Sequence, residues 1–125
     1  MRHLRYGIEI EMTGLSRGKA AETLAGFFGT RAEHTGGGYD AYAVRDAQDR
    51  VWKLVSDGSI QTQKKVRGQT VAADSTYSVE LVSPVCVYED IETIQEIVRA
   101  LRRNNALVND SCGIHVHVGA EKFDA

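Results

Sequence analysis

The segment YGIEIEM at residues 6–12 alternates between apolar and acidic side chains over most of its length. Because successive side chains of a β-strand point to opposite faces, this alternation predicts a strand. The two isoleucines and Met12 would share the face that packs on a core, while Glu9 and Glu11 would share the other face. The segment therefore predicts a half-buried strand with an acidic face, around which the other elements can be placed.

The flanking sequence adds helices and further strands. Ser16 can cap a helix over residues 17–28, and apolar residues repeat at helical spacing over residues 89–105. Further strands are expected at residues 42–46, 50–56, 76–83 and 113–119, and the polar stretches 29–40 and 61–74 are expected to be loops. This order predicts a single α+β domain over residues 1–125, with a mainly antiparallel sheet and helices packed on one face.

The composition is that of an ordinary globular domain. The chain has 125 residues, of which 42% are hydrophobic and 26% charged, and 15 basic against 17 acidic residues give a net charge of −2. The basic residues form no long run, so we expect no nucleic-acid partner. The sequence contains neither a run of about 18 apolar residues nor an N-terminal apolar signal region, so we expect no membrane association and a cytoplasmic location.

Glu9 and Glu11 would lie about 7 Å apart on their shared strand face. At an effective dielectric constant of about 20, their repulsion would be roughly 2–3 kcal/mol, so the pair needs water, a basic group or a cation nearby. For an isolated pair of this kind, a solvated strand face is the simpler interpretation.

Two later strands repeat this arrangement. His115 and His117 alternate with aliphatic residues, and Glu80 is flanked by Val79 and Leu81. Each alone could be a structural or merely exposed residue, but polar side chains on three strands, each opposite an apolar face, are less easily explained as separate accidents. If the strands are neighbours, a divalent cation would offset the carboxylate repulsion, and oxygen-rich ligation favours Mg²⁺ or Mn²⁺ over zinc.

Four sequence blocks carry a family resemblance. In chain order they are Gly7-Ile8-Glu9-Ile10-Glu11, Asp57-Gly58-Ser59, Val79-Glu80-Leu81-Val82-Ser83-Pro84 and Cys112-Gly113-Ile114-His115-Val116-His117. Together they resemble the amidoligase family, relatives of glutamine synthetase and glutamate–cysteine ligase. The resemblance implies a partial glutamine-synthetase-like catalytic sheet, and we expect the 125 residues to be the N-terminal portion of a larger catalytic domain.

The resemblance also implies an activity and a set of roles. The expected reaction is ATP-dependent ligation of a carboxylate to an amine through an acyl phosphate, with Mg²⁺ or Mn²⁺ and ATP as cofactors. The metal ligands would be Glu9, Glu11, Glu80 and His115, whereas His117 and Ser111 would contact the nucleotide. Asp57 and Ser59 would contact substrate or metal-bound water, although Asp-Gly-Ser is also an ordinary turn sequence.

Two other functions remain open at this stage. The same carboxylates and histidines could serve a metal-dependent hydrolase, or the chain could be a non-catalytic binding module that retains the fold. For the ligase, the partners would be small-molecule or peptide carboxylates and amines. An exposed sheet edge would favour self-association or pairing with a missing C-terminal part.

Overall fold

Six strands form one antiparallel sheet, and two helices pack on one of its faces. The structure is a computed structural model that describes residues 4–119. The elements in chain order are β1 (Tyr6–Met12), α1 (Arg17–Phe28), β2 (Ala32–Gly36), β3 (Ala41–Arg45), β4 (Val51–Val55), β5 (Gln63–Val66), β6 (Gln69–Ala72), β7 (Val79–Val82), α2 (Ile91–Arg103) and β8 (Ile114–Val118). The predicted α+β class is confirmed.

The large sheet has the strand order β2-β3-β4-β7-β1-β8, so the acidic strand β1 lies between β7 and β8. Glu11 is opposite Glu80 on β7, and Glu9 is opposite His115 on β8. Sequence-distant strands thus become neighbours, as the predicted site requires.

Both helices have local signals that define their ends and their buried faces. The Ser16 side chain accepts a hydrogen bond from the backbone N–H of Lys19 at the start of α1, and Gly29 ends that helix with a left-handed φ of 72°. In α2, Ile94, Ile97 and Leu101 are buried at helical spacing.

The core lies between the helices and the apolar face of the sheet. Ile10 and Met12 of β1 are buried there, together with Trp52 and Leu54 of β4 and residues of both helices. Burying an aliphatic or aromatic side chain of this size stabilises the fold by about 1.5–3 kcal/mol. The alternation of β1 and β4 therefore commits their other side chains to the opposite face of the sheet.

Two segments expected to be loops contain strands, and those predictions were wrong. Residues 32–36 form β2, which pairs with β3 through an irregular register near His34. Residues 63–72 form the separate hairpin β5-β6, whose turn residues Arg67 and Gly68 have φ of 52° and 81°. Positive φ at both turn positions suits the twist of a tight hairpin, so backbone pairing orders a segment without an apolar pattern.

The strand β8 lies at the edge of the large sheet as the structure describes it. Its apolar side chains point to the helix-bearing face but remain exposed, at 64% for Ile114, 55% for Val116 and 47% for Val118. Self-association through this edge stays a prediction. Within residues 4–119, no helix has the length and apolar character needed to cross a bilayer.

A buried carboxylate joins the β3-β4 hairpin to the core. Asp46 accepts hydrogen bonds from the indole N–H of Trp52 and the side chain of Arg50, each at 2.9 Å. Arg50 also donates to both carboxylate oxygens of Asp90, just before α2. This network connects the hairpin to the start of the second helix.

We predict that Asp46→Asn lowers the free energy of unfolding by about 2–3 kcal/mol, because it removes the charged acceptor of the buried Trp52 N–H and one of the two carboxylates that bind the half-buried Arg50. Chemical denaturation measures the change. Asp49→Asn is the matched control, since Asp49 lies exposed in the same turn and asparagine tolerates its φ of 65°. The control should stay within about 0.5 kcal/mol of the parent chain, and equal losses in the two variants would contradict the assignment.

Candidate metal site

Three glutamates, on β1 and β7, lie on the face of the sheet opposite the helices. Glu9 and Glu11 of β1 point to this face because Ile10 and Met12 are buried on the other. Glu80 of β7 joins them by the same alternation, since Val79 and Leu81 are buried. Cross-strand partners have Cβ atoms about 4.5–5.5 Å apart, so Glu11 and Glu80 are like charges held side by side.

The acidic residues form two possible cation sites that share one ligand. Ligand atoms of Glu9, Glu80 and His115 all lie within 4.8 Å of one another, and so do those of Glu11, Asp57 and Glu80. Glu80 belongs to both groups. We call these five residues the acidic cluster.

Glu11 is the most enclosed carboxylate of the acidic cluster. Its Oε1 accepts a hydrogen bond of 2.8 Å from the backbone N–H of Gly113, in the loop that leads into β8. Burial raises the pKa of Glu11 above its usual value, and its hydrogen bond with the Asp57 carboxyl raises the pKa further. The Gly113 N–H opposes this rise by favouring the ionised form.

Asp57 reaches the acidic cluster from a turn after β4. Its Oδ1 accepts hydrogen bonds from the backbone N–H and the hydroxyl of Ser59, at 2.9 and 2.8 Å, and these bonds lower the pKa of Asp57. The Asp57 backbone is held by the buried Ser78, whose hydroxyl accepts from its N–H and donates to its carbonyl. Asp57-Gly58-Ser59 is therefore a turn whose carboxylate also reaches the acidic cluster, and its contact with substrate or metal-bound water stays a prediction.

Glu80 has the largest pKa shift in the cluster. Burial and the nearby charges of Glu9, Asp57 and Glu11 raise the pKa of Glu80 from 4.5 to about 7. Among residues 4–119, the described ion pairs include none between these carboxylates and a lysine or arginine. Protonation of Glu80, which its raised pKa favours, would lower this repulsion, and a divalent cation could lower it instead.

Both predicted histidines lie beside Glu9. The Glu9 Oε1 is 3.7 Å from Nδ1 of His115 and 3.5 Å from Nε2 of His117. Both imidazoles are exposed, and only His115 belongs to a group of three converging ligands. The strand β8 thus directs His115 to the acidic cluster and leaves His117 at the edge of the cluster.

The remaining predicted residues, Ser59 and Ser111, lie outside both groups of converging ligand atoms. Ser59 contacts the cluster by bonding Asp57, whereas the Ser111 hydroxyl accepts from the Gln61 N–H and donates to Asn109 Oδ1. Ser111 belongs to neither cation group, and its predicted contact with a nucleotide stays a prediction.

Sequence reasoning missed Gly113, whose N–H binds the Glu11 carboxylate, and Ser78, which holds the backbone of Asp57. The glycine lies inside a recognised block, but its N–H contact depends on how β8 docks against β1. Ser78 precedes β7 and has no sequence signal of its own, because its hydrogen bond with the Asp57 backbone forms only when the fold brings the two residues together.

Comparison with known proteins supports one family. A family model described as "Putative amidoligase enzyme" matches residues 2–125, almost the full length. No curated protein and no solved structure matches the chain.

We predict that Glu80→Gln stabilises the metal-free chain at alkaline pH but not in acid. The folded-state pKa of Glu80 is raised, so its favourable contribution is complete below about pH 4.5 and is lost as pH rises through about 7. Thermal unfolding in a chelating buffer should give similar midpoints for variant and parent near pH 4.5, and a higher midpoint for the variant near pH 8. A difference in midpoint between variant and parent that does not change with pH would show that ionisation of Glu80 is not its cause.

Proposed function

The chain belongs to the amidoligase family, and we propose that it is an ATP-dependent carboxylate–amine ligase that forms an amide or isopeptide bond. Family membership supports the broader assignment to ligase-like enzymes. The proposed reaction begins when a substrate carboxylate attacks the γ-phosphorus of ATP, which releases ADP and leaves an acyl phosphate. An amine then attacks the acyl carbon, and phosphate departs as the amide forms.

The observation that supports this proposal is the convergence of two ligand groups on Glu80. Glu9 and Glu11 come from β1, Asp57 from the turn after β4, and His115 from β8. Phosphoryl transfer depends chiefly on positioning and on neutralising charge, which suits a site with two adjacent cations. A single exposed pair of acidic residues would not provide ligands for two adjacent cations.

The ligand atoms suit Mg²⁺ or Mn²⁺. Four of the five residues of the acidic cluster offer carboxylate oxygens, and one offers an imidazole nitrogen. Hard divalent cations prefer oxygen ligands, whereas structural zinc prefers cysteine and histidine. The raised pKa values of Glu11 and Glu80 support the same interpretation, because burial and neighbouring carboxyl groups both disfavour the ionised forms, and a cation would favour them.

The chain's own residues would orient the reactants. Bound divalent cations would supply charge neutralisation and polarise the γ-phosphoryl group. The Gly113 N–H and the Ser59 hydroxyl hold the carboxylates of Glu11 and Asp57, which limits their rotation. His117, at the rim beside Glu9, would donate a hydrogen bond to a phosphate oxygen.

We predict that Glu80→Gln weakens Mn²⁺ and Mg²⁺ binding by at least about tenfold, because one substitution removes a ligand from both groups. Calorimetric titration near neutral pH, with and without ATP, measures the affinity. Glu22→Gln is the control, since Glu22 is exposed on α1, on the other side of the sheet. Equal affinities in the two variants would contradict the shared-ligand arrangement, and a parent chain that binds neither metal would favour the non-catalytic module.

The reaction itself is tested by following ADP release from Mg·ATP with pooled carboxylic acids and amines, together with mass spectrometry of the products. Amine-dependent ADP release and a matching amide are expected, and both should fall at least about tenfold in Glu80→Gln. Breakdown of amides without nucleotide would instead identify the metal-dependent hydrolase.

A further inference from the structure

The face that carries the acidic cluster also carries an exposed lysine. Lys53 lies at the centre of β4, between Trp52 and Leu54, which are fully buried on the helix side. Strand alternation therefore directs Lys53 to the same face as Glu80. Within residues 4–119, its side chain forms no hydrogen bond or ion pair.

The strand register gives the separation between Lys53 and the cluster. Lys53 is opposite Val82 on β7, and Val82 is opposite Glu9 on β1. Two strand spacings place the Cα atoms of Lys53 and Glu9 about 9.5 Å apart. The flexible four-carbon stem of lysine can bridge part of this distance, so its ammonium group can approach a ligand held at the cluster.

An apolar side chain lies between Lys53 and Glu9, whereas Glu80 is the diagonal neighbour of Lys53 on the adjacent strand. Val82 separates Lys53 from Glu9 along one cross-strand row, and Val55 is opposite Glu80 in the next row. Both valines are half-buried, so their exposed methyl groups form a short apolar floor. A ligand lying across this floor would meet the cation-binding carboxylates at one end and an ammonium group at the other.

We propose that Lys53 forms an anion subsite for a second anionic group of the ligand, a carboxylate or a phosphate, whose reacting end lies at the acidic cluster. This inference rests on the proposed ligase reaction, which puts either the substrate carboxylate or the γ-phosphate at that cluster. An ammonium group without a competing partner binds a carboxylate or phosphate oxygen by a charge-assisted hydrogen bond. A dicarboxylic acid or an acidic amino acid has the required two anionic groups joined by an apolar spacer.

The test compares two acids of equal chain length, glutarate and pentanoate, by NMR titration of the parent chain with Mg²⁺ and the β,γ-methylene analogue of ATP. We expect glutarate to bind more tightly than pentanoate. Lys53→Met should weaken glutarate binding roughly tenfold without changing the affinity for pentanoate. Lys53→Arg should restore most of the glutarate affinity. Lys65→Met, which removes an exposed lysine from the β5-β6 hairpin, is the matched control and should behave like the parent chain.

A parallel titration with the ATP analogue alone separates the two sources of the anion. Weaker glutarate binding in Lys53→Met assigns the subsite to the acid substrate, whereas weaker analogue binding assigns it to a nucleotide phosphate. Unchanged affinity for both probes would overturn the subsite, even if the parent chain forms amides. Conversely, a parent chain that binds glutarate through Lys53 but never releases ADP would contradict the ligase reaction and leave the subsite intact.

Discussion

Repulsion among four carboxylates on one face of a sheet is the constraint on which the site depends. Burial, together with the nearby charges of Glu9, Asp57 and Glu11, raises the pKa of Glu80 to about 7. Such an arrangement persists because the opposite face is held by core packing, where Ile10 and Leu81 are buried beside one another. Separating the three glutamates, which all lie on strands, would therefore require the core itself to be disturbed.

The same constraint explains why the supporting hydrogen bonds matter. The Gly113 N–H binds Glu11, and the Ser59 N–H and hydroxyl bind Asp57, so the two carboxyls that touch each other are both held in place. Donors of this kind favour the ionised carboxylate and oppose the effect of burial. A cluster prepared in this way is suited to exchanging protons for a divalent cation, which is the property that the proposed ligase needs.

The two sides of Glu9 on the acidic face carry different kinds of side chain. His115 and His117 lie on the β8 side of Glu9, whereas Val82 and Lys53 lie on the β4 side. A ligand approaching from β8 meets imidazole groups, and one approaching from β4 meets methyl groups and then an ammonium group. This asymmetry could separate a nucleotide from an organic acid on one sheet surface.

Local patterns in the sequence determined which side chains share a face. The strand β1 and the helix α1 were predicted at their observed bounds, because alternation in the first and the Ser16 cap of the second act over a few residues. The strand β2 and the β5-β6 hairpin were missed, since their order comes from backbone pairing and a left-handed turn at Arg67 and Gly68. Tertiary structure alone decided that β1 lies between β7 and β8, and that Asp57 and Gly113 reach Glu11. The reason is physical: alternation depends on the geometry of one strand, whereas strand order and register depend on burying the apolar faces of all strands together.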